Sequence, residues 1–578
     1  MISSRFALAL LLGLAYAGAP SQEPDPEGAK LGIWSPKIEA SWWQSNTEPE
    51  PWLELVGAMN ITLREAHDRH GLEKMVINPH WLGWMLHTRW LSLLPDDWAE
   101  NSFYRSEEGR QIFIQLGSSH RIRNRFFAAL SPDDDQKKAA EILCRIAASE
   151  SEAFHEYTNL AIAFAVVYDQ PLPKGWPHGY VEHAKIPIGD SDPVERFRFL
   201  VRCAREGKLV HDLDRLRVQD LKFLVDTPLE FAELEYAQQI KLSSPSRLAD
   251  LYTALPYANT RISSQQYSWP GDEYRLFHIG QEGGICMDLA YFVSHSGKAL
   301  GVPTMLFVGQ GLSGEHAWVG FLNSNGTWKL DAARFRNEEY PIGQAYDPQT
   351  WQRITDSEIA ALQRGSRLES DRLTKGQALL QWAALNRSDD RYPEILRLSR
   401  RAGSNDTRPW QLEADWLEEN EEDPAVLSRF WGEWVSNFSK NKDLEVAGQM
   451  RLVALYEEHG KEDEAERLRR LIMSSNRSKR FDLGIAIAAE PVFRKLRKRQ
   501  FAEAEEAFDQ AIRRYHAQAG GFLFYNLIEP YVRTCIQEGQ TAMAQGVIRT
   551  LDRNFAATTG SILDQDIAAM RERIEALL

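Results

Sequence analysis

An Asn325-Gly326 pair set between two strand-like runs, HAWVGFL (316–322) and TWKLDAARF (327–335), is the tightest local constraint in this chain. Asn-Gly favours the left-handed backbone of short hairpin turns, so the two runs are expected to fold back on each other as antiparallel strands. On either side, apolar residues recur at helical spacing over long tracts, as in AAEILCRIAASESEAFHEYTNLAIAFAVVYD. A short β-rich stretch inside a helical chain predicts an α+β unit, placed at residues 244–365, with a mainly helical region at 34–243 before it and a second helical region at 366–578 after it.

The chain has 578 residues, too many for a single hydrophobic core. Its first 17 residues read as a signal peptide: Arg5 supplies the positive end, FALALLLGLAYAGA the apolar run and Ala15-Tyr16-Ala17 the small-residue cleavage pattern. Residues 18–33, acidic and Pro-rich, read as a linker. The expectation is export to the periplasm or the extracellular space. No later run approaches the roughly 18 to 20 apolar residues of a spanning helix. NLAIAFAVVYD, around Ala161, is predicted to be a buried helix, and the tryptophans of HWLGWMLHTRWLSLLPDDW are predicted to pack rather than to lie on a membrane. A formal charge of -15 repels phosphate backbones and anionic lipid, so nucleic acid is not expected as a partner.

Near the C-terminus, LVALYEEHGKEDEAERLRRLI, VFRKLRKRQFAEAEEAFDQAI and YVRTCIQEGQTAMAQGVIRTL each read as helix, polar turn, helix, with Ala465, Ala504 and Ala544 at packing positions. They resemble degenerate tetratricopeptide repeats, which implies an α-solenoid. Such a stack offers a face for a protein partner, or it simply buttresses the central unit.

Four cysteines are too few for a disulfide scaffold in a chain of this size. Cys144, Cys203 and Cys535 fall on apolar helical faces and read as packing. Cys286 differs. In GGICMDLAYFVSHSGKALGVP, residues Ile285, Leu289, Phe292, Val293 and Leu300 recur at helical spacing, which puts Cys286 near a helix N-terminus. There the helix dipole favours thiolate, the nucleophilic form. Gly283 and Gly284 leave room for a substrate backbone. Strand alternation places Asp331 on the face of His316, and with a four-residue loop the two are diagonal neighbours, roughly 7 to 8 Å apart. Cysteine, histidine and carboxylate together make an activated nucleophile. Gln281 is a candidate oxyanion donor and Trp318 a candidate cleft wall. Glu315 reads as solvated and His295 as structural. No short pair of metal ligands accompanies these residues, so no metal is expected.

The blocks at 283–309, 316–321 and 328–335 resemble the signature blocks of the transglutaminase-like superfamily, in which a glycine-preceded Cys opens a helix, a His precedes an aromatic on a strand, and an Asp ends the next strand after a Trp. The resemblance implies a papain-like core of a helix on an antiparallel sheet, with Cys286 as nucleophile, His316 as general base and Asp331 as its orienter. It further implies a thioester formed on a protein or peptide amide and passed to water or to an amine, without a cofactor. Calcium serves some relatives, but the sequence shows no clear acidic ligand loop. The alternative is an envelope scaffold that binds peptide without turnover.

Overall fold

The structure is a computed structural model that describes residues 49–576 except 174–178, 180, 190–191, 336–339, 366–369, 404, 421–422, 478–479, 517–519 and 555–556. The signal peptide, the linker and the first part of the helical region at 34–243 lie outside the described residues.

The chain is mixed α+β, with one five-stranded antiparallel sheet among many helices. In the N-terminal region, α1 (Pro49–His70) and α2 (Pro79–Leu91) precede α3 (Gln136–Ser149), α4 (Thr158–Val167), α5 (Pro193–Arg205) and α6 (Val218–Val225). The starts of α2 and α5 follow from sequence. Asn78 and Asp192 accept hydrogen bonds from the backbone N–H of His80 and Val194, and a proline occupies the next position, where its missing N–H costs nothing. Helix α4 is apolar on every side, so it must be surrounded by protein; it is the helix read around Ala161, and it packs against α3, α5 and α6. Trp84, Trp90 and Trp98 are buried, and Trp90 Nε1 donates to Phe113 O at 2.9 Å, which is how an indole behaves in a core. Among the described residues no helix is long and apolar enough to cross a membrane.

The central unit begins with α7 (Arg247–Ala254) and α8 (Leu276–Glu282). Helix α9 (Cys286–Ala299) follows and lies on the sheet formed by β1 (Thr304–Gly311), β2 (Gly314–Leu322), β3 (Trp328–Ala332), β4 (Gln344–Tyr346) and β5 (Arg353–Thr355), in the order β3-β2-β1-β4-β5. The hairpin forms where Asn325-Gly326 predicts it. Its loop has five residues, because Leu322 pairs with Trp328 and Asn323 N donates to Thr327 O at 2.8 Å. A bulge between Val319 and Phe321 then shifts the register, so that Val319 pairs with Ala332. One hydrophobic cluster runs from Trp52 to Leu396, through α9 and one face of the sheet, and continues across positions 243 and 365 without a break.

Beyond the sheet, α10 (Ser370–Ala384) and α11 (Tyr392–Ala402) join that same cluster. Further on, helices pack in consecutive pairs: α12 (Lys442–Glu458) with α13 (Glu462–Ser475), α14 (Phe481–Arg497) with α15 (Phe501–Tyr515), and α16 (Glu529–Gln537) with α17 (Thr541–Asn554). Ala465, Ala504 and Ala544 are fully buried, as expected where small side chains let helices approach closely. Finally α18 (Ile562–Glu575) returns to the sheet, where Leu563 N donates to Ser313 O at 3.1 Å in the β1–β2 turn.

The β4–β5 connection docks on the N-terminal helices through Gln349, whose amide donates to Ala129 O at 2.9 Å and to Asp134 Oδ2 at 2.8 Å and accepts from Lys222 Nζ at 2.9 Å. Burial pushes Asp134 up to about 8 and the nearby Asp169 up to about 7. Both are carboxyls raised on folding, so the folded chain holds protons that the unfolded chain releases near pH 4. Their contribution is therefore most favourable in acid and is lost as pH rises through 7 and 8. We expect the wild type to lose on the order of 4 kcal/mol between pH 5 and 8.5 that an Asp134→Asn variant does not lose. Denaturant melts at the two pH values check this.

Candidate active site

Cys286 is the first residue of α9, as the periodicity predicts, and Ile285 is its N-cap. The two preceding glycines are needed for packing. Gly283 has φ +74°, and a Cβ there would lie 1.9 Å from Pro256 O; a Cβ on Gly284 would lie 2.4 Å from Asp288 Cβ. Gly284 N donates to Pro256 O at 3.1 Å and Gly284 O accepts from Ala258 N at 2.9 Å, a short parallel bridge. The space they leave is filled by the chain itself, where the sequence reading reserved it for a substrate.

Asp288, which the sequence reading passed over, organises this turn. It is 1 % exposed, and its Oδ2 accepts from Ile285 N at 2.9 Å and from Arg261 Nη1 at 2.6 Å, while Oδ1 accepts from Tyr274 Oη at 2.9 Å. The legible signal was an acid three positions past the N-cap, where a carboxylate caps the first turn.

Cys286 is 8 % exposed. Its sulfur lies against the backbone N–H of Ala317 on β2, the residue after His316, and beneath the hydroxyl of Tyr257. Tyr252 of α7 joins the same two elements, its hydroxyl donating to Ala317 O at 2.8 Å and to Cys286 O at 3.3 Å. Burial pushes the Cys286 thiol above its ordinary range. The Ala317 N–H, the Tyr257 hydroxyl and the Met287 N–H oppose that rise, and the Asp288 charge adds to it. In the resting protein burial therefore outweighs the thiolate-favouring helix terminus.

His316 is buried, with its ring stacked on Phe335 at 3.9 Å between centroids. Its Nε2 lies 2.9 Å from Ala333 O. A carbonyl only accepts, so Nε2 carries a proton and donates to it. Ala333 sits at φ +65°, a left-handed conformation uncommon for alanine, just past the end of β3. Among the described residues no hydrogen bond joins the sulfur to His316; the two groups are neighbours through the Ala317 backbone.

Asp331 stands apart. Its side chain is 59 % exposed and pairs with Lys329 Nζ at 2.9 Å. The five-residue loop and the bulge at Asp331 together break the simple alternation that had placed it beside His316, and the Ala333 carbonyl meets the imidazole instead. Gln281 is exposed in the last turn of α8. Trp318 is fully buried in the second core beneath the sheet, and its Nε1 donates to Leu330 O at 2.9 Å; it walls no cleft. Glu315 is exposed and accepts from Gln310 Nε2 at 2.9 Å. His295 is fully buried, bonded through Nδ1 to Thr227 Oγ1 at 2.9 Å and packed on Tyr291. All four cysteines are free and buried. Among the described residues no cluster of His, Cys, Asp and Glu has the arrangement of a metal site.

No family model, no curated protein and no solved structure matches the chain. The assignment of chemistry rests on the residues themselves.

Proposed function

We propose that this chain is an exported cysteine-dependent acyl-transfer enzyme of transglutaminase-like type, acting on protein or peptide amides. The observation that carries the reading is the position of Cys286: a lone cysteine at the first residue of a helix, its sulfur against the strand N–H that follows His316. In the reaction, His316 Nδ1 takes the thiol proton and Cys286 Sγ forms a bond to the amide carbonyl carbon. The C–N bond breaks as the imidazolium protonates the leaving amine. Water or a second amine then attacks the thioester and releases the acyl product and the thiol. The thiol and the imidazole share no hydrogen bond in the resting protein, so the reaction requires that substrate binding bring them together.

The test is ammonia release from glutamine-containing peptides, with and without an added primary amine. We expect release that falls at least about 100-fold in His316→Ala, the scale of a lost general base. Release that is independent of His316 defeats the proposal. The second reading, peptide binding without turnover, is favoured by Asp331 being engaged with Lys329 and by Tyr257 covering the sulfur. Peptide binding with no ammonia release under any condition selects it.

A further inference from the structure

Arg261 and Asp288 form a buried ion pair at 2.6 Å, with side chains 9 % and 2 % exposed. The guanidinium does more than neutralise the carboxylate. Its Nη2 donates to Tyr267 O at 2.7 Å and to Ser268 O at 3.0 Å, and its Nε to Gln266 O at 3.1 Å. The Trp269 ring lies beside it, 5.7 Å from centroid to Cζ. One side chain thus gathers the far end of the 256–269 loop onto the carboxylate that caps α9. The near end of that loop is pinned to Gly284 by the Pro256 and Ala258 backbone bonds. Tyr257, whose hydroxyl meets the sulfur, sits between the two anchors.

We propose that Asp288 and Arg261 are positioning residues for Cys286: the carboxylate fixes the first turn of α9 and its charge faces the sulfur, while the guanidinium holds the 256–269 loop, with Tyr257, over the thiol. The pair touches no reacting atom, and the inference rests on the reading of Cys286 as the nucleophile. Two isolated tasks, capping a helix and folding a loop, would not need the same buried ion pair. Joining them makes the helix start and the loop a single unit, so the sulfur and its cover hold one mutual geometry.

The experiment follows alkylation of Cys286 by iodoacetamide in the full chain, read peptide by peptide by mass spectrometry, from pH 6 to 10.5. The groups facing the sulfur are Tyr252 from α7, Tyr257 and Tyr267 from the loop, and Asp288 on α9. Burial pushes all three phenols up, so they stay neutral over most of the range. Asp288→Asn keeps an acceptor for Ile285 N but removes the charge. Its expected result is an alkylation midpoint lower by about one pH unit, hence about tenfold faster labelling below the midpoint. A purely structural role lowers the melting temperature and leaves the midpoint where it was, and that result overturns the inference.

Arg261→Lys serves if Asp288→Asn does not fold. It retains the positive charge but lacks the fork that reaches three carbonyls, so the expected result is faster labelling across the whole range with little change in midpoint. Labelling as slow as in the wild type overturns the inference. Neither readout depends on turnover, so a failed ammonia-release assay sinks the enzymatic reading without being mistaken for failure of the pair.

Discussion

Cys286→Ser should lower ammonia release from a glutamine peptide by on the order of 10⁴-fold, the scale seen when a nucleophile that works with a paired base is removed. The melting temperature should stay close to that of the wild type. Serine differs from cysteine by one atom, and the backbone N–H groups of Ala317 and Met287 and the Tyr257 hydroxyl that meet the sulfur are partners an alcohol accepts as well. What the alcohol lacks is acidity. Burial already pushes the thiol above its ordinary range, so even sulfur needs His316 to take its proton as it attacks, and a hydroxyl in the same place is far harder to ionise. Loss of release without loss of fold assigns the chemistry to the sulfur. Release that persists in the serine variant places the chemistry elsewhere in the chain and removes the basis of the proposed function.

How much of this was legible before the structure differs from residue to residue, for physical reasons. The start of α9 at Cys286 was readable because helix periodicity and helix ends are local properties of the chain. The hairpin was readable from Asn325-Gly326, but its five-residue loop and its bulge were not, since loops of several lengths carry the same turn signal. The odd loop length and the bulge together decide the fate of Asp331. Alternation gave it the face of His316, whereas it pairs with Lys329 in solvent, and the left-handed Ala333 supplies the imidazole's partner from the backbone. A backbone carbonyl leaves no mark in a sequence. Gly283 and Gly284 were rightly singled out and given the wrong reason, because the space at Gly283 is taken by the backbone of Pro256, nearly thirty positions away, and the space at Gly284 by the Asp288 side chain. Trp318 shows the same limit: its position on the strand was clear, but which side of the sheet carries the second core is a tertiary fact.

Asp226→Ala should destabilise the protein by about 3 to 5 kcal/mol, the cost of stranding one partner of a buried ion pair. The stranded partner is Lys298, in the last turn of α9. Its Nζ donates to Asp226 Oδ1, to Phe223 O at 2.8 Å and to Thr304 O at 2.9 Å, and both charged side chains are almost wholly out of solvent. Burial drives Asp226 up and Lys298 down, each change opposed by the other's charge, so the pair survives because each partner is present. The three acceptors come from the C-terminal end of α6, the residue just after it and the first residue of β1. The ammonium therefore fastens the end of the cysteine helix to an N-terminal helix and to the sheet at once. Replacing both partners, Asp226→Leu with Lys298→Met, should recover most of the lost stability, since well-packed apolar groups can stand in for a buried pair at little net cost. If the single variant melts like the wild type, the pair does not anchor α9. If it melts early and the double variant melts with it, the cost comes from the altered shape of the site rather than from an unpaired charge.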